Sequence, residues 1–169
     1  MIICEAKAYL LGNDVNTDYI ISSRRKRDTL DPQLLKQYLL EDIRPGFFAE
    51  LHSEAAILVA GTNMGCGSAM EVAAQILTVC NIRVLLALSF ARSFYRNCIN
   101  NGVIPVQLSP AEKETISEGD LLRVEMDNQE IKVYNHSQTV TLSFPSPQGE
   151  ALSILVCGGI IPYMRRKAT

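Results

Sequence analysis

Apolar and polar positions alternate with period two over residues 2–11, the pattern of a half-buried strand. Further on, a continuous apolar run at 55–60 reads as a buried strand, and residues 69–80 carry apolar side chains at helical spacing. Strand 84–90, helix 91–100 and strand 103–108 complete two consecutive β-α-β crossovers, which predict a parallel core with right-handed connections. Gly102 is placed to stop the second of these helices. Between the first two strands, Asp31-Pro-Gln opens a helix with a capping carboxylate and proline at its first position. That helix carries Leu34, Leu35, Tyr38 and Leu39 on one face and ends at Arg44-Pro-Gly46.

The rhythm changes in the last third. A short helix is predicted at 110–117, then a hairpin of 121–127 and 129–135 across a tight Asp127-Asn128 turn, with a third strand at 139–144. Residues 145–149 form a Pro/Gly loop, residues 153–157 are too short to decide between strand and helix, and Gly158-Gly159 precedes a helical turn at 162–166. No internal repeat and no long polar linker divides the chain. The pattern alone therefore predicts an α/β domain spanning 1–169 with an antiparallel β appendage.

Composition narrows the class. With 169 residues, 47% of them hydrophobic and 20% charged, the chain can fill one sizeable core. A net charge of −2 and a pI near 5.7 argue against nucleic-acid binding. The basic runs Arg24–Arg27 and Arg165–Lys167 are short, and the second reads as a solvated tail. Cys4, Cys66, Cys80, Cys98 and Cys157 are an odd number with no C-x-x-C pair and no cationic leader, a cytoplasmic pattern. The histidines, His52 and His136, lie far from the cysteines in sequence, so no metal site is expected in this chain. No stretch approaches the roughly 18 to 20 apolar residues of a membrane span.

The chemistry concentrates in Gly61-Thr-Asn-Met-Gly-Cys-Gly-Ser-Ala-Met-Glu-Val-Ala73. Its glycines fall at a strand-to-helix turn, which aims backbone N–H groups and a helix N-terminus at an anion. Ser68 either caps the helix or presents its hydroxyl to a ligand. Cys66, between Gly65 and Gly67 at the helix mouth, is the thiol placed for exposure and acidification.

This loop resembles the Asn-Phe-Gly-Cys-Gly-Ser-Ser-Arg-Glu-His-Ala signature of the small, swivelling subunits of isopropylmalate isomerase and homoaconitase, in the aconitase superfamily. Two other blocks agree in order and spacing. Asn13-Asp-Val-Asn-Thr-Asp-Tyr-Ile-Ile21 followed by Arg24 is similar to the family's first substrate-facing loop. Ser89-Phe-Ala-Arg-Ser-Phe-Tyr-Arg-Asn-Cys-Ile-Asn-Asn-Gly102 is similar to its second long signature. The resemblance implies a swivelling β/β/α fold whose β-rich part completes a barrel-like layer. It also implies a hydro-lyase of leucine biosynthesis that moves a hydroxyl between adjacent carbons of a hydroxy-di- or tricarboxylate by dehydration and rehydration. A large partner subunit would carry a [4Fe–4S] cluster acting on the departing hydroxyl, and this chain would supply the base. Without that partner the chain could form a homo-oligomer, a state that the resemblance leaves open.

Residue by residue, the resemblance makes Ser68 the catalytic base and Arg24 a carboxylate ligand, a role suited to its guanidinium fork. It adds Thr17, Asp18, Gly65, Cys66 and Gly67 to the substrate-binding surface. Asn16, Thr17 and Asp18 equally suit ordinary turn chemistry. Glu71 would order the loop from the first helical turn, and Arg92, Tyr95, Arg96 and Asn97 would support it from behind.

The departures are as specific. Ala69, Met70 and Val72 stand where the signature has serine, arginine and histidine. The signature arginine binds substrate carboxylate and stabilises the serine alkoxide, which Met70 cannot do. Either Met70 is a lesion, which restoring the signature would repair, or Arg25, Lys26 or Arg27 replaces the lost charge in space. Three functions compete: an active small subunit, a catalytically impaired paralogue acting as a regulatory or assembly subunit, and an RNA-binding role, which the acidic balance and the lack of aromatic stacking platforms disfavour.

Overall fold

The computed structural model describes residues 1–52 and 54–168. Strands β1 (Ile2–Leu10), β2 (Ala56–Ala60), β3 (Ile82–Ala87), β4 (Ile104–Gln107), β5 (Leu121–Met126), β6 (Glu130–Asn135) and β7 (Val140–Pro145) form one seven-stranded sheet in the order β4-β3-β2-β1-β5-β6-β7. The helices are α1 (Thr17–Ile20), α2 (Pro32–Leu35), α3 (Phe47–Glu50), α4 (Glu71–Val79), α5 (Arg92–Asn100), α6 (Pro110–Glu114), α7 (Glu150–Val156) and α8 (Ile160–Lys167).

Strands β1 to β4 are parallel, with Leu10 beside Val59 and Val84 beside Ile104. The antiparallel part is not a separate appendage. β5 pairs directly with β1, Ala6 opposite Leu122, so the two halves are one sheet. The sheet curls enough that Pro105 and Gln107 of β4 and Ile131 and Phe144 of β6 and β7 line one cavity of about 290 Å³. This is the barrel-like layer, with its outer strands unpaired in the sheet.

Alternation along β2 explains the two-sided core. Ala56, Leu58 and Ala60 join a cluster with α4, Phe47 and Phe94, while Ile57 and Val59 join Val124, Val133 and Ile154 on the other face. A strand buried on both faces reads as a continuous apolar run. α5 ends in a Schellman arrangement, with the Gly102 amide donating to Ile99 at 3.0 Å and the Val103 amide to Cys98 at 2.9 Å.

The long helix expected from residue 31 is not formed. Asp31 caps α2 through the Gln33 amide at 2.9 Å, but α2 stops at Leu35 and a single 3₁₀ turn follows over Lys36–Tyr38. Leu39 and Leu40 are both buried. Leu40 takes a left-handed backbone with φ 56°, and its amide donates to the Ile20 carbonyl at 3.0 Å. Burying consecutive leucines and tying the segment to α1 outweighs helix propagation, and Leu34 is left exposed. α1, α3 and a 3₁₀ turn at Arg25–Arg27 have no counterpart in the sequence pattern, and of the undecided 153–157 stretch residues 153–156 lie in α7 with Cys157 as its C-cap. No helix among the described residues is long and apolar enough to cross a membrane.

Candidate functional site

Three loops leave the carboxyl ends of the parallel strands β1, β2 and β3, where open parallel sheets place their ligands. They are joined by backbone hydrogen bonds that prolong the sheet. The Gly65 amide donates to Val15 and the Thr17 amide to Cys66, both at 2.8 Å, while the Met64 amide donates to Ser89 and the Ala91 amide to Met64, both at 2.9 Å. Asn16 pairs in parallel with Cys66, and Met64 with Phe90.

Side chains lock the junctions. Asn13 accepts from the Thr62 amide at 2.9 Å, and Asn63 donates to Asp14 at 2.9 Å while its own amide donates to the Ser89 hydroxyl at 2.7 Å. Asn16 caps α1 by accepting from the Asp18 amide at 2.9 Å. The buried Thr17 hydroxyl donates to the Ser68 carbonyl at 2.9 Å, so α1 fixes the turn carrying Ser68. Asn13, Asn63 and Ser89 lie inside the recognised blocks, yet only their placement reveals these roles.

Two glycines are dictated by close approach. Gly65, with φ 79°, faces the Phe94 ring so closely that a Cβ would lie 2.0 Å from it. Gly67, with φ 95°, faces Asn16, whose Oδ1 would lie 2.3 Å from a Cβ. A left-handed backbone and no room for a methyl group leave glycine as the residue that fits. Phe94, rather than the polar residues of α5, is the packing partner directly behind the Gly-Cys-Gly turn.

Ser68 is exposed and does not cap the helix. α4 begins at Glu71 with Met70 as its N-cap, and Met70 makes no side-chain capping bond. The Met70 amide turns back to the Ser68 carbonyl at 2.8 Å. Among the described residues the Ser68 hydroxyl has no hydrogen-bond partner, and the amides of Gly67, Ser68 and Ala69 donate to no protein acceptor. Such a run of free N–H groups suits an anion. Cys66 is half-buried and stands five residues before α4, so it does not occupy the helix mouth expected for it. Burial pushes the Cys80 thiol up to about 12, against a smaller opposing effect of Lys36, and pushes Cys98 up as well. Both are core thiols.

The charges near the turn come from the basic segment. The Lys26 side chain is only 6% exposed, and its ammonium donates to Asp18 Oδ1 at 2.7 Å and to Met70 Sδ at 3.0 Å. The hydrogen bond from Lys26, followed by one from Ser23, holds the Asp18 carboxyl below its ordinary value. Arg25 grips Glu41 with two bonds of 2.8 and 2.9 Å and stacks 3.9 Å over Tyr38. Arg24 does not meet the glycine-rich turn. It is 70% exposed and pairs with Asp42 at 2.9 Å. Arg24 and Arg25 instead line a cavity of about 390 Å³ with Leu34 and Tyr38, which Ser68 and Gly67 do not reach. The structure thus brings Thr17, Asp18, Gly65, Cys66, Gly67 and Ser68 together, adds Lys26, and leaves Arg24 to one side.

Among the described residues no group of three His, Cys, Asp or Glu side chains is placed to hold a metal ion.

The chain is similar to known proteins over nearly its whole length. The Aconitase C-terminal domain family model matches residues 48–111. The methanogen homoaconitase small subunit of Methanocaldococcus jannaschii is 36% identical over 165 residues, covering 98% of this chain and 93% of that protein. The 3-isopropylmalate dehydratase small subunit of Sulfolobus acidocaldarius is 40% identical over 164 residues, covering 97% of this chain and 98% of the relative. A crystal structure of 3-isopropylmalate dehydratase from Methanocaldococcus jannaschii superposes with a TM-score of 0.86 at 35% identity, over 99% of this chain and 96% of that one. With strand order, loops and full-length similarity in agreement, the chain belongs to the family of 3-isopropylmalate dehydratase and homoaconitase small subunits.

Proposed function

We propose that this chain is a single swivelling domain and the small subunit of a two-chain hydro-lyase, closing over a large cluster-bearing partner to isomerise a hydroxy-dicarboxylic acid. The observation that carries the reading is the Ser68 turn: an exposed hydroxyl where three strand-end loops converge, among free backbone amides and two residues before Met70, whose sulfur meets the nearly buried Lys26 ammonium.

Ser68 takes the proton from the carbon next to the one bearing the hydroxyl. The C–H electron pair becomes the new C=C bond, and the hydroxyl leaves with the C–O pair as hydroxide, which a general acid supplied by the partner subunit protonates to water. In the return direction water adds with its oxygen on the other carbon and returns a proton to that acid, while Ser68 gives its proton to the carbon that lost the hydroxyl. A serine alkoxide is a strong base and a costly one, so the amides of Gly67 to Ala69 and the nearby cation stabilise it; one well-aimed donor contributes roughly 10²–10³ in rate. Thr17 and Asn16 hold the turn, Gly65, Cys66 and Gly67 shape the surface against which substrate lies, and Asp18 orients Lys26. Arg24 stands to one side of the turn, so it serves as a carboxylate ligand only where closure over the partner brings its loop to the substrate; its exposed ion pair with Asp42 is worth only about 0–1 kcal/mol and exchanges readily.

The alternative is a catalytically impaired regulatory or assembly subunit. Ala69, Met70 and Val72 at signature positions favour it, together with a Ser68 hydroxyl that has no hydrogen-bond partner among the described residues. Mixing the chain with a cluster-loaded large subunit of the family and following the ultraviolet absorbance of the unsaturated acid, which appears from isopropylmalate and disappears when homoaconitate is hydrated, separates the two. Turnover supports the hydro-lyase. A stable complex without turnover on either acid supports the alternative.

A further inference from the structure

The basic turn holds a cation that its surroundings do not fully satisfy. Lys26 is nearly buried, and an ammonium taken out of water is tolerated only when its protons find good acceptors. Lys26 carries three protons. One meets Asp18 Oδ1, an atom already accepting from the Ser23 hydroxyl at 2.7 Å, and one meets Met70 Sδ, a thioether and hence a weak acceptor. Both neighbours lead straight to Ser68: Asp18 follows Thr17, whose hydroxyl holds the Ser68 carbonyl, and the Met70 amide holds that same carbonyl. The ammonium and the Ser68 turn are therefore parts of one small unit.

We propose that Lys26 is the residue that binds an anionic group, a carboxylate of the substrate, beside Ser68, and that Lys26 and Met70 function as a pair. This rests on the hydro-lyase reading for its substrate class. Met70 gives the ammonium a contact without competing for it, whereas an arginine at position 70 would face a like charge. The positive charge can stand at position 26 or at position 70, and this chain places it at 26.

The test uses the full chain, with malate as a hydroxy-dicarboxylate probe at millimolar concentration and the amide resonances of Gly67, Ser68 and Ala69 as readout. Malate shifts these resonances in wild type. In Lys26→Met its affinity falls at least about tenfold, the effect of losing one charge-assisted hydrogen bond, and Lys26→Arg retains most of it. Met70→Arg alone binds more weakly than Lys26→Met/Met70→Arg, which recovers binding. Thermal unfolding of each variant confirms that the compared proteins are folded, and the charge-preserving Lys26→Arg decides the matter should Lys26→Met not fold. Absence of malate-dependent shifts in wild type, equal affinity in Lys26→Met, or loss of binding in a folded Lys26→Arg overturns the proposal. These binding readouts are independent of turnover: malate binding that depends on Lys26 in a chain inactive with every large subunit counts against the hydro-lyase reading and leaves Lys26 as the anion ligand.

Discussion

The ammonium of Lys26 lies 3.0 Å from the sulfur of Met70, so the residue that interrupts the family signature is in contact with a cation from a different loop. Met70 need not be a lesion. This changes what restoring the signature should do. In Ala69→Ser/Met70→Arg/Val72→His the new guanidinium meets Lys26, and the new imidazole replaces Val72, which is 6% exposed and part of the core around α4. Burying an imidazole without a partner costs about 1–3 kcal/mol. Urea unfolding is expected to show the triple variant less stable than wild type by at least that amount; equal or greater stability contradicts the account.

Acid titration tests the Asp18–Lys26 pair separately. The Asp18 carboxyl is depressed in the fold, first by the hydrogen bond from Lys26 and then by that from Ser23. A depressed carboxyl contributes stability that is present above its unfolded pKa and is lost as pH falls through the folded pKa. Removing the larger cause in Lys26→Met moves the Asp18 midpoint upward, so its contribution is lost at a higher pH. Carboxyl-carbon NMR titration reads this directly, and an unchanged midpoint contradicts the pairing.

Gly65 should tolerate no side chain. A methyl group there meets the Phe94 ring and is held at φ 79°. The left-handed backbone costs roughly 1–2 kcal/mol and overpacking about 1–3 kcal/mol, so Gly65→Ala loses about 2–5 kcal/mol in denaturant unfolding. A loss below about 1 kcal/mol shows that the turn yields more easily than its packing against α5 indicates.

Much of this was legible in the chain. β2 and the two helices after it announce themselves because an apolar run and a helical repeat bounded by glycines leave few alternatives. The three loop blocks are visible because they carry turn residues at fixed offsets. The segment between β1 and β2 was misread, since the spacing of Leu34, Leu35, Tyr38 and Leu39 suits a helix that the burial of Leu39 and Leu40 prevents. The site shows the same division. Thr17, Gly67 and Ser68 can be proposed as site residues from their blocks, whereas Lys26 is one of three cations in a row after Arg24. Only folding shows that Glu41 takes Arg25 while Lys26 turns inward to Met70. Side-chain direction within a 3₁₀ turn has no periodic signature along the sequence.

The central claim is that Ser68 moves the proton, and one comparison tests it most directly. The complex of this chain with a cluster-loaded large subunit is assayed for kcat with wild type and with Ser68→Ala, alongside the affinity of each chain for that subunit. Ser68 is exposed and its hydroxyl bonds to no described residue, so the substitution leaves the fold intact. The account predicts unchanged complex affinity and a fall in kcat of at least about 100-fold, the lower end of what a positioned general base contributes. Equal kcat in the two complexes would remove Ser68 as the base and contradict the account.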